Sequence, residues 1–182
     1  MAQATIENIV ASTSIASGVD LKDLAQRLKV EDFDPETFPG ILYKIDEPPV
    51  AFLILRSGKV VTTGAKSLRD LRTAMASLVQ RLTEAGVKLD GNIEIRIKDV
   101  VLSADLGSEL DLNALALSFG VDRIEYVPDE FPGLIYRTDD KKLTFLIFRS
   151  GKVVCTGATK TDEARRALDR LEEEIRHAGL LA

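Results

Sequence analysis

The chain has 182 residues, 45% of them hydrophobic and 29% charged, with a formal net charge of −5. That profile excludes a disordered chain, and the acidic balance removes the bulk electrostatic signal that marks a basic nucleic-acid binder. No apolar run is long enough for a bilayer, the opening MAQATIENIV lacks the basic start and apolar stretch of a secretory signal, and the single Cys155 excludes a disulfide framework or cysteine metal cluster. These absences point to an intracellular protein.

In chain order, the pattern predicts a strand over 4–12 and a short helix over 20–28, started by Asp20 as N-cap. A strand follows the FPG turn at 38–40, and two more flank RSGKVV at 56–61. An amphipathic helix comes next: Leu71, Ala74, Leu78 and Leu82 recur at helical spacing, and Gly86 stops it. After a junction at 88–95 the same order returns. It runs as a strand over 94–103, a helix over 111–119 capped by Asp111, and an FPG turn at 131–133. Two strands around RSGKVV and a last helix on Ala164, Ala167, Leu171 and Ile175, stopped by Gly179, complete it.

The return is a duplication. FPGILYKIDEPPVAFLILRSGKVVTTGA (38–65) reappears as FPGLIYRTDDKKLTFLIFRSGKVVCTGA (131–158), and NIVAS (8–12) is similar to DVVLS (99–103). The shift grows from 91 to 93, so the second copy carries two extra residues near Tyr126 to Asp129. The halves are residues 1–91 and 92–182, long enough for a tandem repeat rather than a short-period solenoid.

The strands raise a problem of cover. Alternation puts Phe52, Ile54, Val60 and Thr62 on one face, with Phe145, Ile147, Val153 and Cys155 as counterparts. Cys155 is then a small buried apolar residue rather than a reactive thiol. The opposite face takes Leu53, Leu55, Val61 and Thr63, and in the second half Leu146, Phe148, Val154 and Thr156; Val10 and Val101 join it. The helices of each half supply one layer, which covers one face. The other apolar face is either a binding surface or is buried between repeats or in a dimer.

The duplication, NIVAS, the pair FPGILY and FPGLIY, and the pair SGKVVTTGAK and SGKVVCTGA together resemble the TATA-box-binding protein core, over nearly the whole chain. The absence of the long N-terminal extension of eukaryotic members points to the archaeal type. The resemblance implies an α+β fold: a tandem-repeat saddle, one curved antiparallel sheet with helices on the convex face and a bare concave face on the minor groove. It implies a general transcription initiation factor that binds A·T-rich promoter DNA and bends it, by about 80° in the family. It also implies recruitment of transcription factor B and, indirectly, RNA polymerase. Neither cofactor, metal nor membrane enters, and the setting is the nucleoid in the cytoplasm of an archaeal cell, with a homodimer as a DNA-free form. The alternative is a divergent saddle with weakened DNA binding that acts through protein or other ligand contacts.

Site residues follow from the resemblance. Phe38 and Leu55, with Phe131 and Phe148, are the wedges; Leu55 departs from the family's usual Phe. Asn8 matches a central Asn that donates to base acceptors, and Asp99 stands at its counterpart. An ionised carboxylate has no proton to donate, so Asp99 turns away, is protonated, or weakens the centre. Thr63 and Thr156 lie near the same centre, and Val10, Val61, Val101 and Val154 supply van der Waals contact. Lys44 and Arg137 match phosphate contacts, and Arg56, Lys59, Arg149 and Lys152 cluster at the hairpin turns. Residues 1–91 hold 11 Lys/Arg against 12 Asp/Glu and residues 92–182 hold 13 against 17, so the acidic surplus lies in the second half. There Asp129 and Glu130, beside the FPG turn, are the candidates for the transcription factor B contact. The spacing shows no catalytic constellation: His177 stands alone, and RSGKVVTTG lacks phosphate-loop spacing.

Overall fold

The computed structural model describes residues 2–139 and 142–181. The chain divides into two compact units, Asn8–Lys98 and Met1–Glu7 with Asp99–Ala182. Both are antiparallel sheet with helices, the α+β class expected from the sequence.

The first unit holds β1 (Thr5–Ser14, from Asn8 on), α1 (Leu21–Arg27), β2 (Gly40–Asp46), β3 (Pro49–Leu55), β4 (Lys59–Ala65) and α2 (Leu68–Glu84). Its strands lie in the order β2-β3-β4-β1. The register places Phe52 opposite Tyr43 and Thr62, and Ala11 opposite Thr62. One sheet face is the core: Ile9, Ile41, Phe52, Ile54 and Val60 are fully buried. The buried stripe of α2, Leu71, Ala74, Met75, Leu78 and Leu82, contains the four residues whose spacing predicted it. Burying each of the leucines contributes about 1.5–3 kcal/mol.

The second unit holds β5 (Arg96–Asp105, from Asp99 on), α3 (Leu112–Phe119), β6 (Ile124–Glu125), β7 (Leu134–Arg137), β8 (Thr144–Ile147), β9 (Lys152–Ala158) and α4 (Thr161–His177). Its strands lie in the order β5-β9-β8-β7-β6. Leu102 and Phe145 both pair with Cys155, and Tyr136 pairs with Phe145. Leu134, Phe145, Ile147 and Val153 repeat the buried face, and α4 buries Ala164, Ala167, Leu168, Leu171 and Ile175. The N-terminal residues are tied into this unit: the Ala2 N–H donates to Glu172 at 2.8 Å, and Arg165 donates to the Ala4 carbonyl at 3.2 Å.

Local chemistry sets the element ends. Asp20 accepts from the Asp23 N–H at 3.2 Å, and Asp111 accepts from the Ala114 N–H at 3.1 Å, so both predicted caps form. Gly86 and Gly179 take φ of +82° and +76°, and the following N–H groups return to Leu82 and Ile175 at 2.9 and 3.1 Å. That double closure satisfies the last carbonyls of α2 and α4.

The structure moves some predicted boundaries. The opening strands run to Ser14 and Asp105, two residues further than read, because Thr13 and Ala104 still alternate into the buried face. The short helices span Leu21–Arg27 and Leu112–Phe119, since the Asp caps themselves stay extended. The two-residue β6 and the bulge between Ile9 and Ala11 were not predicted.

Candidate nucleic-acid interface

The face of each sheet opposite the core carries an apolar row read directly from the register. In the first unit the row is Leu42, Leu53 and Val61 on neighbouring strands, ending at the buried Ser12. In the second it is Ile135, Leu146, Val154 and Ser103. Leu42 is 52% exposed, and Leu53, Val61, Ile135, Leu146 and Val154 are half-buried, whereas the strand neighbours of these five are buried. Val10 and Val101 are likewise half-buried, on the second face as expected. A second row holds Lys44, Ala51 and Thr63 in the first unit, and Arg137, Thr144 and Thr156 in the second. Exposed apolar surface arranged in rows is the mark of a docking face rather than of scattered surface residues.

At the edge of each face sits the aromatic ring of the FPG turn. One turn of backbone bonding positions it: the Phe38 N–H donates to the Asp34 carbonyl and the Phe131 N–H to the Val127 carbonyl, both at 3.0 Å. Phe38 is 46% exposed rather than packed beneath its turn. Phe131 meets Phe148 edge-on, with ring centroids 5.9 Å apart and planes at 67°. The glycine of the motif makes room for these rings. A Cβ on Gly133 would lie 2.7 Å from Phe131 and 3.0 Å from Phe148; on Gly40 it would lie 3.1 Å from both Phe38 and Leu53. Leu55 pairs with Gly40 across the strands, so the first edge joins one ring to an aliphatic chain where the second joins two rings.

The turns of the RSGK motif are built alike in both units. The Gly58 N–H bonds to the Leu55 carbonyl and the Gly151 N–H to the Phe148 carbonyl, both at 2.9 Å. Gly58 and Gly151 adopt φ of +90° and +92°, and a Cβ there would overlap the carbonyls of Ala16 and Ser108. The motif therefore fixes the hairpin that ends in Leu55 or Phe148. It leaves Arg56, Lys59, Arg149 and Lys152 exposed around the turns.

Asn8 and Asp99 occupy corresponding places and make corresponding bonds. The Asn8 carbonyl oxygen accepts from the Gly64 N–H at 2.6 Å, and its amide donates to Thr63 Oγ1 at 2.8 Å. Asp99 accepts from the Gly157 N–H and from the Thr156 hydroxyl, both at 2.7 Å. Asp99 does not turn away; its carboxylate is held on its own sheet.

Charge differs between the units. Lys44 is exposed, while Arg137 pairs with Glu125 of β6 at 3.4 Å. Glu7 accepts from the Ser103 hydroxyl at 2.6 Å. Asp129 and Glu130 are exposed beside the second FPG turn. Cys155 lies beneath the sheet, and burial, with the nearby Asp99 and Glu163 charges, pushes its thiol up to about 12. It is a core residue.

Sequence reasoning missed Leu42, Ile135, Ser12, Ser103 and Glu125. Counting alternate residues from Gly40 and Gly133 would have found the first two. The serines continue the alternation of Val10 and Val101 along each opening strand, and Glu125 depends on β6. No cluster of three His, Cys, Asp or Glu that could hold a metal occurs among the described residues. No helix there is long and apolar enough to cross a membrane.

Each of the two α+β units carries an apolar sheet face opposite its core, edged by Phe38 in the first and by the Phe131–Phe148 pair in the second. The comparisons agree. The family described as transcription factor TFIID, or TATA-binding protein (TBP), matches residues 3–85 and 94–178. A TATA-box-binding protein of Archaeoglobus fulgidus is 44% identical over 176 residues, covering 97% of this chain and 96% of that protein. TATA-box-binding protein 2 of Haloferax volcanii is 46% identical over 176 residues, covering 97% and 95%. The solved structure of Methanococcus jannaschii TBP superposes with a TM-score of 0.85 at 42% identity, covering 96% of this chain and 99% of that one. The chain belongs to the TATA-binding protein family of transcription factors, and its relatives among these are archaeal.

Proposed function

We propose that this chain is a general initiation factor that binds A·T-rich promoter DNA in the minor groove through the open sheet face of each unit. The observation that carries the reading is the apolar row Leu42–Leu53–Val61 and its counterpart Ile135–Leu146–Val154 on the face opposite the core, edged by Phe38 and by the Phe131–Phe148 pair. The minor-groove floor of A·T pairs offers acceptors and no amino group. An apolar face fits that floor, and a guanine amino group would be stripped of water there without a partner. Phe38, Leu55, Phe131 and Phe148 enter base steps at the edges of the site. Unstacking a step costs a few kcal/mol, recovered through the contact that the bend allows. Lys44 and Arg137 meet phosphates, so affinity falls as salt rises. Val10, Val101, Thr63 and Thr156 complete the contact surface.

The exposed Asp129 and Glu130 receive transcription factor B, which links the complex to RNA polymerase. Band-shift titration of an A·T-rich promoter duplex against a G·C-rich duplex at moderate salt tests the DNA reading. Preference for the A·T-rich duplex is expected; equal binding or none would remove it.

A further inference from the structure

The hydrogen-bond pairs at Asn8 and Asp99 share a geometry but have opposite outward polarity. A backbone N–H can only donate, so the Asn8 atom facing the Gly64 N–H is its oxygen. The Asn8 amide then donates to Thr63 Oγ1, which leaves the Thr63 hydroxyl proton and the second amide proton of Asn8 for a ligand. In the other unit both Asp99 oxygens accept, one from the Gly157 N–H and one from the Thr156 hydroxyl. The only proton of that pair is used internally. What Asp99 and Thr156 offer outward is lone pairs.

Lone pairs facing adenine N3 or thymine O2 meet only acceptors, in a groove that has lost its water, and leaving the outward lone pairs of the Asp99 carboxylate without a donor there is disfavoured. One group on the minor-groove floor satisfies them: the N2 amino group of guanine. We propose that Asp99 and Thr156 form a guanine-reading position, so that the site for this protein is asymmetric, with A·T pairs under Asn8 and Thr63 and a purine amino group tolerated or preferred under Asp99. The inference rests on the minor-groove reading above and specifies its sequence.

The test replaces adenine with 2,6-diaminopurine, one position at a time, in an A·T-rich duplex, which adds a single minor-groove amino group at each step. Competition binding at fixed salt is the readout. For the unaltered protein the amino group should weaken binding at most positions, and at one position it should be neutral or strengthen binding. Asp99→Asn should convert that position to a penalty of about fivefold or more, the usual size for one mismatched pair. The variant should fold, since Asn8 already makes the same two bonds in the first unit, and an unchanged thermal melt checks this. Asn8→Asp should create a second tolerant position. A penalty at every position for the unaltered protein, or a profile that Asp99→Asn leaves unchanged, would overturn the inference while leaving the promoter reading intact. No preference for any A·T-rich duplex over a G·C-rich one would overturn both.

Discussion

The two repeat units present the same apolar rows and different polar groups. Leu53 and Leu146, Val61 and Val154, and the hairpin glycines correspond residue by residue. Asn8 and Asp99 do not, nor do Leu55 and Phe148, and the exposed Lys44 has as its counterpart an Arg137 tied to Glu125. Shape is thus kept in both copies while hydrogen-bond polarity and charge have separated. The first is held by backbone at the hairpin glycines, where a Cβ would meet the Ala16 or Ser108 carbonyl, and by the shared apolar surface of the rows. The second sits on a half-open surface where substitutions leave the fold intact.

The largest expected effects are common to both units. Phe52→Ala and Phe145→Ala should each destabilise the protein by about 3–5 kcal/mol, since both rings are fully buried in the core. Urea unfolding checks this; a small loss in one unit alone would break the equivalence of the cores. Next comes the ring cradle. Gly133→Ala should weaken binding to an A·T-rich duplex more than Gly40→Ala, because a Cβ at Gly133 lies 2.7 Å from one ring and 3.0 Å from another. Equal losses in a binding titration would argue against the cradle.

The edges sharpen the comparison further. Phe148→Ala should reduce bending of the bound duplex more than Leu55→Ala, as it removes one of two rings in edge contact. A fluorescence-transfer bend assay giving the reverse order would show that the wedges are paired wrongly. The Cys155 thiol, pushed up to about 12 by burial, should resist iodoacetamide at pH 8 in the folded protein and react once unfolded. Rapid labelling of the folded protein would contradict its place in the core.

The smallest effect concerns the FPG turns. Asp34 is held below the usual carboxylate range by the Thr37 hydroxyl and the Glu36 N–H, and Val127 stands at its counterpart. A lowered value in the folded state means this local support is present above the ordinary carboxylate pKa and fades as pH falls through the lowered one. Acid should therefore loosen the turn before Phe38 and leave that before Phe131 unchanged, as read from amide exchange. Loosening of both together would remove Asp34 as the cause.

Much of this was legible in the sequence because it depends on local rules. Alternation gave the buried Phe52 and Phe145, and turn chemistry gave the caps at Asp20 and Asp111 and the stops at Gly86 and Gly179. The residues it missed depend on distant partners. The bond between Asp99 and Thr156 joins positions 57 apart in the chain, and no spacing rule announces it. Ser12 and Ser103 continue the alternation of Val10 and Val101, but they meet Val61 and Val154 only through bulges that set Thr63 and Gly64 against Val10, and Thr156 and Gly157 against Val101, with no sequence mark. The pairing of Arg137 with Glu125 required β6, two residues too short to show a period.

The most direct measurement uses inosine·cytosine pairs, which have the major groove of G·C but a minor groove without the amino group. Replacing the A·T pairs of a bound duplex by inosine·cytosine should leave affinity nearly unchanged, while guanine·cytosine at the same positions, save the one beneath Asp99, should weaken it. Loss of binding on the inosine duplex equal to that on the guanine duplex would show that the open faces do not read the minor groove.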